Sequence, residues 1–261
     1  MSERTAVLSR IEERVGIIEL ARPDKYNCLS SAMFLAIEQA LEAFERSDSG
    51  VRAVLIQAQG KHFCTGADLE EVERVREDSL QLMSFIHRGH TVLRRLEASP
   101  LPVVAACQGL VLAGGSELML ACDVVFASRD CRIGDQHAQF GLIPGWGGSQ
   151  RLPRLIGLRR ALDLDFSARW IDADTALAWG LVNYVVDDER LHEEARAYCR
   201  TLTTRSRAGL AAMKQLARSG LERSLREGLA LEEEMAVRAL QSADVAEGLA
   251  AFKARRQPKF S

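Results

Sequence analysis

The 261-residue sequence lacks several patterns that would place it in a specialised class of protein. Its six cysteines include no CxxC pair, which argues against zinc ribbons and thioredoxin-type redox sites. No apolar run reaches the ~20 residues that a membrane-spanning helix needs. Basic and acidic residues nearly balance, leaving a net charge of −2. We therefore expect neither a membrane protein nor a nucleic-acid-binding protein.

The first residues, Met-Ser-Glu-Arg-Thr, also lack the cationic-then-apolar pattern of a secretory signal. Several cysteines lie in apolar stretches, as Cys107 and Cys122 do, which is typical of buried free thiols. A reducing, cytoplasmic compartment is the expectation that follows. Apolar residues make up 47% of the chain and charged residues 27%, as in globular proteins whose core needs no disulfides.

Hydrophobic patterning predicts an α/β fold. Strands are predicted at residues 6–8, 15–20, 51–56, 103–106 and 124–127, and helices at 31–45 and 68–98. Alternation of strands and helices indicates crossover units around a mainly parallel sheet. From about Ser149 the chain reads as mostly helical, and residues 195–256 resemble a separate helical layer.

Three glycine-containing loops are the first candidates for chemistry: residues 61–69, 108–118 and 134–152. The first two follow a predicted strand and precede a predicted helix, where backbone N–H groups lack helical partners. Two such turns side by side could bind one oxygen atom, as in an oxyanion hole. Structural glycine turns are the alternative. Neither loop is a phosphate-binding P-loop or a clean GxGxxG motif, which disfavours nucleotide hydrolysis and dinucleotide redox chemistry.

Two side chains near these loops are candidates for acid–base work. Glu117 lies in the first turn of a predicted helix, where the helix dipole alone would favour a carboxylate. If it faces a pocket, burial would suit it to proton transfer. His137 lies in the third loop, where a single histidine is usually a solvated polar residue. His87 and His90 have no further ligand set, so no metal site is expected.

Three segments of the chain resemble the enoyl-CoA hydratase/isomerase (crotonase) superfamily. They are Phe-Cys-Thr-Gly-Ala-Asp-Leu at 63–69, Ala-Gly-Gly-Ser-Glu-Leu at 113–118, and Gly-Leu-Ile-Pro-Gly-Trp-Gly-Gly-Ser-Gln-Arg-Leu at 141–152. The similarity extends from residues 22–27 to residues 252–256. It implies a spiral core of ββα turns in residues 1–195. It also implies a helical region in residues 196–261 that builds homotrimers or dimers of trimers.

The resemblance further implies binding of acyl-CoA thioesters, with no cofactor beyond the coenzyme A of the substrate. By motif position, the backbone N–H groups of Ala67 and Gly114 would hold the thioester oxygen and stabilise an enolate. Residues matching coenzyme A or substrate positions of the family are Lys25, Ala67, Asp68, Leu69, Phe252 and Lys253. In some members the last two reach the site of a neighbouring subunit.

Hydratases of this family use two glutamates, and the sequence keeps one of them. Glu117 matches the first, whereas His137 stands four residues before Gly141, where the second is expected. A protonated histidine can donate a proton to the α-carbon while Glu117 activates water for the β-carbon. Alternatively, His137 binds an acyl group or orients Glu117. Family isomerases usually rely on the missing carboxylate, so isomerisation is disfavoured relative to hydration.

Two alternative hypotheses about the function remain. Some family members that hydrolyse C–C bonds of cyclic β-diketones carry a histidine at the position of His137, so a hydrolase of β-diketones or β-keto acyl-CoA is possible. Their histidine is oriented by an aspartate after the Ile-Pro-Gly motif, and this chain has Trp146 there, so the orienting partner is expected to be absent. The other reading is a non-catalytic acyl-CoA binder.

Overall fold

The computed structural model describes residues 6–260 as a mixed α/β fold. Its strands are β1 (Val7–Glu12), β2 (Val15–Leu20), β3 (Ala53–Ala58), β4 (Val103–Cys107), β5 (Leu110–Leu112), β6 (Val124–Ser128), β7 (Arg132–Gly134), β8 (Ile171–Asp172) and β9 (Tyr184–Val186). Its helices are α1 (Ser31–Glu45), α2 (Leu69–Val75), α3 (Ser79–Ala98), α4 (Gly114–Leu120), α5 (Gly148–Ile156), α6 (Leu158–Ser167), α7 (Ala173–Ala178), α8 (Leu191–Thr203), α9 (Arg207–Leu221), α10 (Leu225–Leu240) and α11 (Ala243–Lys253). Three short 3-10 turns span Pro23–Lys25, His137–Phe140 and Asp188–Arg190.

The main sheet has the strand order β1-β2-β3-β4-β6-β9, and every pair except β1–β2 is parallel. Every residue of β3 and β4 is buried, as expected for central strands of a parallel sheet covered on both faces. The main core, which includes α1 and α3 residues, covers one face. The other carries a smaller core formed with α8. The predicted parallel sheet is confirmed.

A second, smaller layer forms beside this sheet and supports the candidate site. Strands β5, β7 and β8 form a three-stranded sheet, with β5 parallel to β7. Isolated bridges extend the layer by pairing Cys64 with Val111 and Leu29 with Ala67. The loops that follow β3 and β4 are therefore held next to each other.

The predicted helices form with identifiable caps. The Ser30 side chain accepts a hydrogen bond from the Met33 N–H and caps α1. The helix predicted over 68–98 is instead two helices, because Asp68 caps α2 and Asp78 caps α3 in the same way. Strand β3 begins at Ala53, two residues later than predicted.

Helices α8–α11 form the carboxyl-terminal region. The boundary predicted at 195/196 falls inside α8, whose residues Leu191, Ala195 and Cys199 pack against the sheet. The division of the chain into a catalytic and an oligomerisation region stays a prediction. Large apolar side chains are exposed on α9, α10 and α11: Met213, Leu221, Leu225, Leu229, Val237, Leu240, Leu249 and Phe252. None of the helices within residues 6–260 is long and apolar enough to cross a membrane.

Candidate active site

The loop after β3 and the start of α4 lie side by side. The Cys64 N–H donates to the Leu110 carbonyl at 3.2 Å, and the Leu112 N–H donates to the Cys64 carbonyl at 3.0 Å. A Cβ atom on Gly115 would overlap the Cys64 carbonyl, so glycine is needed for this close approach. These contacts bring the turn at Gly66 against the first residues of α4.

The amides of Ala67 and Gly114 lie on these adjoining turns. Leu29 binds the residues on either side of Ala67: its N–H donates to the Gly66 carbonyl at 2.7 Å, and its carbonyl accepts from the Asp68 N–H at 2.8 Å. In a parallel bridge of this kind the N–H of the middle residue points away from its partner. Neither the Ala67 nor the Gly114 N–H donates to another residue within 6–260. Two unpaired donors therefore lie in neighbouring turns, as an oxyanion hole requires.

The residue before Gly114 has a backbone conformation that L-residues rarely adopt. Ala113 has φ 48° and ψ −120°, and it is the N-cap of α4. This region of φ and ψ is accessible mainly to glycine, and such strain typically persists at functional sites. The ψ angle of Ala113 also sets the plane of the peptide that carries the Gly114 N–H.

Replacing Ala113 with glycine should increase the free energy of unfolding by about 1 kcal/mol. The free energy gained by relieving the backbone strain of the folded state should exceed the free energy lost because glycine adds conformational entropy to the unfolded chain. Urea denaturation of the two proteins measures this difference. As a control, alanine replaced by glycine at exposed Ala178, near the end of α7, should decrease stability. A destabilised A113G variant would show that the Ala113 conformation is not strained.

Glu117 projects from the first turn of α4 into the protein interior, with 1% of its surface exposed. Its Oε1 accepts hydrogen bonds from the N–H groups of Trp146 at 2.7 Å and Gly148 at 2.8 Å. Burial raises the pKa of Glu117, opposed by these N–H groups and by His137. The carboxylate is thus fixed through one oxygen, while Oε2 remains available.

His137 is buried, not solvated as a loop histidine usually is. It lies in a 3-10 turn that is flanked by the left-handed residues Gln136 and Gly141. Its Nδ1 lies 2.9 and 3.0 Å from the two carboxylate oxygens of Asp135, and its backbone N–H also donates to Asp135. The expectation that His137 lacks an orienting carboxylate is therefore wrong: Asp135, two residues earlier, supplies it.

The Asp135 contact directs the other ring nitrogen of His137 toward Glu117. Nε2 lies 3.9 Å from Glu117 Oε2. Burial lowers the pKa of His137, but the hydrogen bond to Asp135 and the charges of Asp135 and Glu117 outweigh it and raise the pKa. The imidazolium form is therefore more favoured than in a solvated histidine, which is the direction that suits a proton donor.

A third carboxylate lies near this group. Asp165 on α6 interacts electrostatically with Asp135 and His137, and burial together with the Asp135 charge raises the pKa of Asp165 to about 6. Its Oδ1 is buried and has no hydrogen-bond partner among the residues that the structure describes. The cluster thus holds three carboxylates around one imidazole.

Ionised Asp165 should destabilise the protein, because its folded-state pKa is raised. Stability that is present below its unfolded pKa is lost as the pH rises through about 6. D165N should remove this loss and increase the free energy of unfolding at pH 8 by about 1 kcal/mol, a value reduced for solvent screening of a partly exposed group. Urea denaturation at pH 4 and pH 8 measures the change. An equal effect of D165N at both pH values would contradict it.

A pocket of about 420 Å³ adjoins these groups. It is lined by Asp24, Lys25, Tyr26, Cys28, Thr65, Ala67, Asp68, Leu69, Glu70, Leu112, Ala113, Gln136, His137, Phe140 and Leu142. Five of the predicted site residues therefore share one pocket. Glu117 lies deeper and lines a separate cavity of about 10 Å³ with Asp135, which is close to the space one water occupies.

Ion pairs surround the mouth of the pocket. Lys25 pairs with Glu70, and Arg22 Nη2 lies 2.9 Å from Asp68 Oδ2. The Asp68 carboxylate also caps α2, and it therefore stabilises the start of this helix. Phe252 and Lys253 are exposed on α11 and do not line this pocket.

Sequence reasoning missed three residues of this site: Asp135, Trp146 and Asp165. The spacing of Asp135 two residues before His137 was a usable signal, because aspartate side chains often bind the backbone two residues on. Asp165 is distant in sequence and reaches the site only through the packing of α6. Among the described residues, no group of three or more His, Cys, Asp or Glu side chains is placed to hold a metal ion.

Comparisons with known proteins identify the family of the chain. Residues 10–261 match the family model described as Enoyl-CoA hydratase/isomerase. The crystal structure of an enoyl-CoA hydratase from Bacillus anthracis superposes with a TM-score of 0.92 at 33% identity, covering 98% of both chains. The mitochondrial methylglutaconyl-CoA hydratase of Mus musculus is 34% identical over 95% of this chain and 81% of its own length.

An isomerase is equally similar. The 1,2-epoxyphenylacetyl-CoA isomerase of Escherichia coli is 34% identical over 98% of both chains. Relatives named for different reactions are thus equally similar in sequence to this chain. The predicted crotonase-like fold is confirmed, and the chain belongs to the enoyl-CoA hydratase/isomerase family.

Proposed function

We propose that the protein adds water to the double bond of a 2-enoyl-CoA thioester. The observation that carries this proposal is the pair formed by Glu117 Oε2 and His137 Nε2, 3.9 Å apart, beside two turns with unpaired N–H groups. One member is a buried carboxylate and the other a histidine whose pKa is raised. A base and an acid at this spacing can act on adjacent carbon atoms.

The thioester oxygen would accept hydrogen bonds from the Ala67 and Gly114 N–H groups. Gly114 is the first residue of α4, so the positive end of the helix dipole adds to the stabilisation of an enolate oxygen. Such donors act most strongly where water is excluded, and Gly114 is buried. The negative charge that develops when water attacks the β-carbon is thus stabilised at the oxygen.

The proton transfers then balance within the pair. Glu117 takes a proton from water as the water oxygen bonds to the β-carbon, and His137 gives its Nε2 proton to the α-carbon. The proton on Glu117 returns to His137 across the short gap between them. The product is a 3-hydroxyacyl-CoA, and no cofactor beyond the coenzyme A of the substrate takes part.

The 420 Å³ pocket would hold the inner part of the substrate. Lys25, Asp68 and Leu69 lie along it, where we place coenzyme A. Phe252 and Lys253 would contribute only from a neighbouring subunit, because in one chain they lie outside the pocket. The exposed apolar residues of α9–α11 support a homotrimer or dimer of trimers, with residues 196–261 as the oligomerisation region.

A second candidate function is hydrolysis of a C–C bond in a β-diketone or β-keto acyl-CoA. The pairing of His137 with Asp135 favours it, because an oriented histidine is a competent general base. His137 lines the large pocket directly, whereas Glu117 lies deeper. The two candidates therefore differ in which residue first meets the substrate.

A panel of 2-enoyl-CoA esters, assayed by loss of the conjugated thioester absorbance, tests the proposal. Hydration predicts loss of absorbance without release of free coenzyme A. Release of free acid from a β-keto acyl-CoA would favour the hydrolase. Tight binding of acyl-CoA with no turnover of any ester would instead identify a non-catalytic binder.

A further inference from the structure

Trp146 occupies an unusual place beside the candidate site. It follows the Pro144-Gly145 turn, and only 2% of its surface is exposed. Its N–H holds Glu117 Oε1, and its carbonyl accepts a 2.7 Å hydrogen bond from Arg151, which is itself paired with Glu97. The backbone on both sides of the indole is therefore fixed.

The indole ring is wedged between two helices at positions where neither carries a Cβ atom. One edge of the ring (Nε1 and Cδ1) meets Gly89 of α3, and the opposite edge (Cζ3 and Cε3) meets Gly114 of α4. A Cβ atom at either glycine would overlap the ring. The ring thus spans the full gap between α3 and α4.

Two phenylalanines hold the ring in this gap. Phe34 packs edge-on at 4.8 Å between ring centroids, and Phe85 is tilted at 5.4 Å. Both are buried. Such aromatic packing leaves the indole no vacant volume into which it could rotate.

Trp146 contacts both ends of the proposed reaction centre, through its ring at Gly114 and through its backbone N–H at Glu117. Gly114 would bind the thioester oxygen, and the Trp146 N–H holds the carboxylate that would act on the β-carbon. With coenzyme A at the pocket mouth, acyl carbons beyond the β-carbon would have to continue inward. The indole fills the space behind Gly114 and lies beyond the residues that line the 420 Å³ pocket.

We infer that Trp146 closes the inner end of the acyl site and restricts the substrate to short-chain acyl-CoA thioesters. This inference rests on the proposed function only for the placement of the thioester oxygen at Gly114. A rigid aromatic wall excludes additional methylene groups more strongly than a flexible aliphatic one, and each excluded methylene typically changes kcat/KM by about 10-fold or more.

The test compares wild-type protein with W146F and W146A, using crotonyl-, hexenoyl-, octenoyl- and decenoyl-CoA as substrates. Wild-type kcat/KM should fall at least about 10-fold from crotonyl- to octenoyl-CoA. W146A should move the optimum to the longer esters, with W146F in between. W179A is the matched control, because Trp179 packs against Arg160 and Arg169 away from the pocket and should leave the chain-length order unchanged.

Binding of the saturated butanoyl- and octanoyl-CoA, measured by calorimetry, separates this inference from the proposed function. If no ester is turned over but wild type binds butanoyl-CoA more tightly and W146A reverses the order, the hydratase proposal fails and the inference stands. If wild type shows no preference for short chains in turnover or binding, the inference is overturned. It is also overturned if W146A, folded by near-ultraviolet circular dichroism, keeps the wild-type chain-length order.

Discussion

Replacing Glu117 with glutamine should lower kcat for crotonyl-CoA by about 10³-fold, within the range that one acid–base group contributes. The amide cannot remove a proton from water, but its oxygen can still accept from Trp146 and Gly148. Because burial disfavours the Glu117 charge, the neutral variant should be at least as stable as wild type. Stopped-flow or steady-state assays, with butanoyl-CoA binding measured in parallel, give the two quantities.

E45Q is a matched control for this variant. Glu45 is a partly buried glutamate at the end of α1, paired with Arg95 and absent from the pocket lining. Its replacement should leave kcat within about 2-fold, as substitutions away from reacting atoms usually do. An E117Q variant that keeps the wild-type rate would remove Glu117 from the mechanism. If E117Q loses butanoyl-CoA binding as well as activity, the role of Glu117 is structural.

The second large effect is expected at His137 and is dependent on pH. In hydration His137 acts protonated and Glu117 acts ionised, so kcat/KM should fall above the raised pKa of His137 and below the raised pKa of Glu117. Because the two groups interact, the apparent values belong to the pair. H137A should lower kcat by about 10²-fold or more and abolish the basic limb.

D135N tests how the pKa of His137 is controlled. It removes the carboxylate charge that raises this pKa, so the basic limb should move to lower pH. The loss of activity should be larger at pH 8 than at pH 6, whereas a purely structural defect would lower both equally. If the pH profile of D135N keeps the wild-type basic limb, Asp135 does not control the orientation and pKa of His137. For a hydrolase that uses neutral His137 as base, activity would instead rise with pH through the pKa of His137.

Much of the fold followed from local patterns in the sequence. Hydrophobic patterning predicted α1 and the strand β4. The α1 residues Phe34, Ile37, Leu41 and Phe44 and every residue of β4 are buried as expected. Strands β5, β7, β8 and β9 were missed because each has only two or three residues. Such short strands depend on pairing with distant segments, which no local pattern reveals.

The candidate site was likewise predicted from the sequence only in part. Ala67, Gly114 and Glu117 lie at strand-to-helix turns, where motif position and helix-end chemistry both predicted their location. Asp135 was overlooked although its spacing from His137 was a usable signal; the left-handed conformation of Gln136 between them was not predicted. Trp146 was interpreted only as a missing aspartate. Its proposed role as a wall depends on the absence of Cβ atoms at Gly89 and Gly114, which lie 57 and 32 residues before Trp146 in the chain.

Incubation of wild-type protein with crotonyl-CoA in deuterium oxide, followed by mass spectrometry of the thioester, tests the proposed reaction most directly. Hydration through an enolate predicts a 3-hydroxybutanoyl-CoA that carries one deuterium on the α-carbon. E117Q should form this product about 10³-fold more slowly under the same conditions. Recovery of unchanged crotonyl-CoA, or of free acid and coenzyme A without the hydroxyl product, would contradict the account.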